Sequence, residues 1–150
     1  MRGRVFRYGD HVNTDLVIPG RYWHITDPVE LAKHCFEDLD PAFVRSVAPG
    51  DFVVAGANFG CGSSREEAAS VLRASGIAGV IAASFARIFF RNAVNSGLPI
   101  LECPEAARDV EAGQRLEVDP SAGVIRVLDT GVVFTSLPFP AFLRAIVSAG

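Results

Sequence analysis

The chain has 150 residues, 49% of them hydrophobic and 21% charged, with a formal net charge of −3; that is one domain's worth of chain with enough apolar surface to bury a sizeable core, unlike a disordered polypeptide. Its 14 lysines and arginines are scattered without a basic run, so the stripe that neutralises nucleic-acid phosphates is missing. The longest apolar stretches, such as 77–86, fall short of the roughly 20 residues needed to span a bilayer.

In chain order, Gly3 to Tyr8 predicts a short strand ending at Gly9-Asp10, followed by the polar turn His11-Val12-Asn13-Thr14-Asp15. A loop runs from Pro19 to Asp27, and Asp27-Pro28 is a helix start, so a helix is expected over Pro28 to Leu39. Phe43, Val44 and Val47 mark a short helical or turn segment before Pro49-Gly50-Asp51. Phe52 to Ala55 reads as a buried strand, Ser63 to Ser75 as a helix stopped by Gly76, and Gly79 to Ala83 as a second buried strand. Phe85 to Ser96 is expected to be helical and Leu98 to Glu102 extended. Strands over Arg115–Val118, Val124–Leu128 and Val132–Phe134 are separated by turns, and Pro140 opens a terminal helix to about Ala149. The alternation predicts an α/β fold, mixed β-sheet layers with flanking helices and a β-rich tail.

Cys35, Cys61 and Cys103 are odd in number and widely separated, with no CxxC or His-x3-5-His pattern, so neither a disulfide frame nor a zinc site is expected. The N-terminus is basic but lacks a following apolar region, so no signal peptide is read and a cytoplasmic location is expected.

Three segments carry chemistry. Gly56-Ala57-Asn58-Phe59-Gly60-Cys61-Gly62-Ser63-Ser64-Arg65-Glu66-Glu67 joins a strand to a helix. Its glycines allow close backbone approach, the helix start favours a negative group, and Arg65 adds a planar fork for a carboxylate. A plainer reading makes Ser63 or Ser64 an N-cap, with Glu66 or Glu67 closing a capping box. The spacing matches neither dinucleotide, P-loop nor nucleophile-elbow templates. The second segment, Asp10 to Asp15, packs carboxylates, an imidazole and hydroxyl and amide groups around a turn, much of which Asx turns explain. In the third, Ser84 to Gly97, Arg87 and Arg91 lie on one helix face, and the poor helix formers Asn92 and Asn95 point to tertiary hydrogen bonds.

Taken together, Gly9 to Asp15, Asn58 to Glu66 and Ser84 to Asn92 resemble the swivel domain of the aconitase superfamily. From the first strand to about position 135, the chain is similar to that superfamily's free-standing small subunits, of the 3-isopropylmalate dehydratase and homoaconitase type. The resemblance implies one swivel domain over 1–150 and a hydro-lyase that moves a hydroxyl between adjacent carbons of a hydroxy di- or tricarboxylic acid. It assigns Ser63 as the base, Ser64 and Arg65 to a substrate carboxylate, and Asp15 to the active site. It also implies a [4Fe–4S] cluster on a separate large subunit; this chain's three separated cysteines lack the spacing to hold one, so by itself it should be inactive. In such proteins the loop after Pro19-Gly20-Arg21-Tyr22 selects substrate. Here it reads Trp23-His24-Ile25-Thr26, whose bulky and apolar residues suit a branched alkyl group such as isopropyl, whereas a further carboxylate would favour an arginine. One departure is Glu67, where histidine is common in the family.

The reading that follows is the small subunit of an isopropylmalate isomerase in leucine biosynthesis. The alternatives are a homoaconitase or related hydroxyacid dehydratase subunit, such as one acting on dimethylmalate, and a stand-alone anion-binding module in which Ser63 is only a cap.

Overall fold

The fold follows from short apolar strands alternating with helices, seen in a computed structural model that describes residues 1–62 and 66–137. Strand β1 (Arg2–Arg7) leads to a one-turn helix α1 (Thr14–Val17), a single 3-10 turn (Gly20–Tyr22), α2 (Pro28–Ala32) and α3 (Phe43–Ser46). Then come β2 (Phe52–Ala55), α4 (Glu66–Ala74), β3 (Gly79–Ala82), α5 (Arg87–Ser96) and β4 (Ile100–Glu102). The chain continues through α6 (Pro104–Asp109) to β5 (Arg115–Asp119), β6 (Val124–Val127) and β7 (Val133–Thr135). The helix expected over 140–149 lies outside the described residues.

The strands form one mixed sheet in the order β4-β3-β2-β1-β5-β6-β7. Every residue of β2 and β3 is buried, as parallel strands covered on both faces require. The tail strands β5 and β6 instead alternate between buried and exposed positions, the pattern of antiparallel strands with one wet face. Strand β1 joins the two halves: Val5, Phe6 and Arg7 pair in parallel with β2, while Arg2, Gly3 and Arg4 pair antiparallel with β5. Gly3 is required there, because a Cβ would stand 2.0 Å from the Gly50 carbonyl oxygen. Asp51, only 6% exposed, closes the same junction by accepting hydrogen bonds from the Arg4 and Ala48 N–H groups at 3.0 and 2.9 Å.

Strands β1 to β4 lie side by side in sequence order, so right-handed crossovers bring their connecting helices to one face; α4 packs there against both α2 and α5, while α6 crosses β3 and β2. Aromatic rings fill the space beneath. Phe43 meets Phe6 and Phe36 edge-on at 4.8 and 4.9 Å. Phe59 meets Phe89 at 5.2 Å under the loops that follow β2 and β3.

Several boundaries differ from the sequence expectation. The helix expected over Pro28 to Leu39 ends at Ala32 and continues as turns. Phe36 is fully buried with φ of 57° and donates its N–H to the Val17 carbonyl at 2.9 Å. Sinking that ring into the core outweighs the cost of a left-handed residue and breaks the helix. Helices α1 and α6 and the 3-10 turn, which were not expected, are each six residues or shorter, below the length at which apolar periodicity is legible. Asn92 is buried, but no side-chain hydrogen bond ties it to another described residue, and Asn95 is exposed. Positions three apart on a helix differ by about 60° around the axis, enough to leave one facing inward and the other in solvent.

Candidate active site

At the carboxyl ends of β1, β2 and β3, three loops are bonded to one another. Leaving β1, Gly9 accepts from the Gly56 N–H at 3.0 Å, and Asp10 Oδ1 accepts from the Ala57 N–H at 2.7 Å. His11, at φ of 55°, donates its N–H to the Ala57 carbonyl at 2.8 Å. Val12 then accepts from the Gly60 N–H at 2.7 Å, and Thr14 donates its N–H to the Cys61 carbonyl at 3.0 Å. The loop after β3 closes the set: Ser84 Oγ accepts from the Asn58 N–H at 2.8 Å and the Ser84 carbonyl from the Phe59 N–H at 3.0 Å. These bonds pair the backbone groups of the three loops with one another.

The glycines follow from this closeness. A Cβ on Gly56 would stand 1.8 Å from Asp10 Oδ1, and one on Gly60, where φ is 83°, would stand 2.3 Å from the Phe89 ring. Gly62, at φ of 92°, passes so near the β1 loop that a Cβ would be 3.4 Å from Asn13 Cβ. Asn13 caps α1, its side chain accepting from the Leu16 N–H at 2.9 Å, and Asp15 is exposed in the first turn of that helix.

Asp15 and Gly62 are thus brought to one rim, each one residue along from the bonded Thr14 and Cys61. Ser63, Ser64 and Arg65 lie outside the described residues. Helix α4 opens at Glu66 with the exposed Glu66 and Glu67 in its first turn. Because helices in βαβ units run antiparallel to their strands, the N-termini of α4 and α5 both open on this rim, and a helix N-terminus favours an anion. Arg87 and Arg91 are exposed on α5.

The Trp23 segment follows α1 after Ile18, Pro19 and the 3-10 turn. Trp23 is 49% exposed, His24 is exposed, and Ile25 is half-buried against the core. The indole rests on Gly20, where a Cβ would come within 3.2 Å of its ring. Sequence reasoning missed what anchors this segment. Arg21 donates to both oxygens of Asp38 at 3.0 and 2.8 Å and to Glu37 Oε2 at 2.6 Å. The Tyr22 hydroxyl donates to Glu37 Oε2 at 2.5 Å, and its ring stacks on His34 with centroids 3.8 Å apart. The hydrogen bond from Tyr22, with those from Arg21 and His34, holds the Glu37 carboxyl below its usual range; Arg21 does the same for Asp38. The partners lie 12 to 17 positions apart, a separation at which no local pattern announces a contact.

Among the described residues no three His, Cys, Asp or Glu side chains are grouped to hold a metal. Cys35 and Cys103 are buried and burial pushes both thiols up, and neither belongs to a metal-holding group among the described residues. An iron–sulfur cluster does not fit these residues. Nor is any helix among them long and apolar enough to cross a membrane.

Residues 39–106 match the model of the aconitase C-terminal domain. The chain is 54% identical over 148 residues to the 3-isopropylmalate dehydratase small subunit of Ruminiclostridium cellulolyticum, covering 99% of this chain and 91% of that protein. This chain belongs to that small-subunit family. Membership extends beyond one substrate, because the 2,3-dimethylmalate dehydratase small subunit of Eubacterium barkeri is also 54% identical, over 149 residues, again covering 99% of this chain and 91% of that protein. A crystal structure of 3-isopropylmalate dehydratase from Methanocaldococcus jannaschii superposes with a TM-score of 0.93 at 42% identity, covering 99% of this chain and 88% of that one. The fold is therefore the family's aconitase-type swivel domain.

Proposed function

We propose that this chain is the small subunit of a two-chain hydro-lyase that interconverts 2-isopropylmalate and 3-isopropylmalate by dehydration and rehydration, in leucine biosynthesis. The observation that carries the reading is the bonded rim, where the turn bearing Asp15 is locked against the glycine loop that leads into Ser63-Ser64-Arg65. The 54% identity over nearly the whole chain supports the same reading.

In this scheme the 1–150 chain acts as one swivel domain in the cytoplasm, and a large subunit closes over the rim; a [4Fe–4S] cluster held by that subunit would supply a Lewis acid for the leaving hydroxyl. Ser63, as alkoxide, takes the proton from the carbon next to a carboxylate. The hydroxyl leaves from the adjacent carbon and an unsaturated diacid remains. Hydroxide then adds in the opposite sense to the carbon that lost the proton, while Ser63 gives its proton to the carbon that lost the hydroxyl and becomes alkoxide again. A serine alkoxide is a costly base in water, so the nearby helix N-terminus and Arg65 have to stabilise its charge. Ser64 and Arg65 hold a substrate carboxylate, Arg65 through its bidentate fork. Asp15 faces the reacting carbons from the opposite loop, and Trp23, His24 and Ile25 receive the alkyl group.

A second reading, 2,3-dimethylmalate as substrate, is favoured by the equally similar Eubacterium barkeri relative; that acid carries a methyl group on each of its two central carbons where isopropylmalate carries one isopropyl group, a difference of one carbon.

The test is to co-express the chain with a large subunit, reconstitute the cluster without oxygen, and compare turnover of 3-isopropylmalate, 2,3-dimethylmalate and tricarboxylic homologues. Preference for 3-isopropylmalate is expected; preference for another acid moves the substrate assignment. In the same complex Ser63→Ala should lower kcat by about 100-fold or more while assembly persists. A loss confined to about 1 kcal/mol of stability, with turnover retained, would reduce Ser63 to a helix cap and favour an anion-binding module.

A further inference from the structure

We propose that Glu37 is a positioning residue for substrate selection: through Tyr22 and Arg21 it holds the Trp23-His24-Ile25 segment in the orientation that meets the alkyl group. This rests on the preceding reading of that segment as the selecting loop.

Two strands of chain are involved, the 3-10 turn Gly20–Tyr22 and the turns following α2. The first could still rock on its core contacts, since its three residues form a single turn whose N-cap makes no side-chain hydrogen bond. Glu37 removes that freedom with both carboxylate oxygens. Oε2 accepts from the Tyr22 hydroxyl at 2.5 Å and from Arg21 Nη2 at 2.6 Å, while Oε1 faces His34 Nδ1 at 3.4 Å. His34 in turn stacks on the Tyr22 ring with planes 11° apart, and the Arg21 guanidinium lies 4.9 Å from the same ring. Asp38 takes the remaining fork of Arg21.

One exposed ion pair contributes little. Here two carboxylates and an imidazole hold the guanidinium of Arg21 and the phenol of Tyr22, so a single orientation satisfies all of them, the arrangement that positions a site. Tyr22 is bonded directly to Trp23, whose indole already rests on Gly20. A rotation of the turn therefore carries the Trp23, His24 and Ile25 side chains with it. Helix α2 and the core under Ile25 do not depend on Glu37, which is why its loss should alter recognition before it alters folding.

The chain has one tryptophan, and it lies in the segment at issue, so its emission reports the clamp without any enzymatic turnover. In the free chain, Glu37→Ala should raise acrylamide quenching of Trp23 about twofold and lower its anisotropy, while Lys33→Ala, which removes only an exposed pair with Glu30, should change neither. In the assembled enzyme Glu37→Ala should raise KM for 3-isopropylmalate about tenfold with kcat nearly unchanged, the signature of lost substrate binding, and should narrow the preference over 2,3-dimethylmalate. Glu37→Gln, which still accepts from Tyr22, should recover much of both properties. Unchanged quenching in Glu37→Ala would overturn the clamp. Increased quenching with KM and preference intact would overturn its role in selection. Equal losses on both substrates together with a lowered melting temperature would also overturn it, in favour of a structural role. A parent complex that turns over neither acid would refute the substrate reading, while the fluorescence still decides whether Glu37 holds the segment.

Discussion

Replacing Gly60 by alanine tests whether the loop geometry at the rim is imposed by close packing. The residue has φ of 83°, and a Cβ there would meet Phe89 at 2.3 Å from Cγ, 2.4 Å from Cβ and 2.7 Å from Cδ2. A left-handed alanine costs about 1–2 kcal/mol, and overpacking a filled core about 1–3 kcal/mol more. The sum is a destabilisation of about 2–5 kcal/mol, which at a mid-range slope of about 2 kcal/mol per molar urea moves the midpoint down by roughly 1–2.5 M with an unchanged slope. Phe89 is 2% exposed, so Phe89→Ala alone should cost about 3–5 kcal/mol through the cavity it leaves. The double variant distinguishes ring from backbone. Truncation removes the contacts with Cγ and Cδ2 but leaves the one with Cβ, so the two changes together should cost about 1 kcal/mol less than their sum. A Gly60→Ala midpoint within about 0.3 M of the parent would refute the reasoning, because it would mean that the loop after β2 yields freely. Strict additivity in the double variant would refute the ring contact as its source.

Two further outcomes are expected. Asp51→Asn should cost about 1–3 kcal/mol in urea denaturation, because one oxygen that accepts from Arg4 or Ala48 becomes a donor facing a donor; a neutral result would mean that the β1 junction does not depend on it. The second concerns acid. Glu37 and Asp38 are held below their usual values by hydrogen bonds from Tyr22 and Arg21 respectively, so what they contribute is present above the ordinary carboxylate range and is lost as pH falls through the lowered values. Trp23 quenching should match at about pH 7 and pH 5 and rise only once the pH has fallen below the ordinary carboxylate range. A rise that persists unchanged in Glu37→Ala would show that other carboxylates cause it.

The glycines at 56, 60 and 62, the polar character of Asn13-Thr14-Asp15 and the buried runs of β2 and β3 were legible in the sequence because each is a local requirement, although the short helix that Asn13 caps was not. Close backbone approach selects glycine, an N-cap selects a short polar side chain, and a doubly covered parallel strand selects an unbroken apolar run. Order along the chain also determined that strands and helices alternate, and hence the α/β class. Register and contact across the sequence could not be read this way. Strand β1 pairs in opposite senses at its two ends because β2 and β5 each need a partner for their backbone groups, which only the assembled sheet reveals. Helix α2 stops at Ala32 because the core takes Phe36, against the local preference for continuing the helix. The anchoring of the Trp23 segment belongs to the same class: Tyr22, His34 and Glu37 are ordinary surface residues in sequence, and they become one restraint only when folding brings the 3-10 turn against the turns after α2.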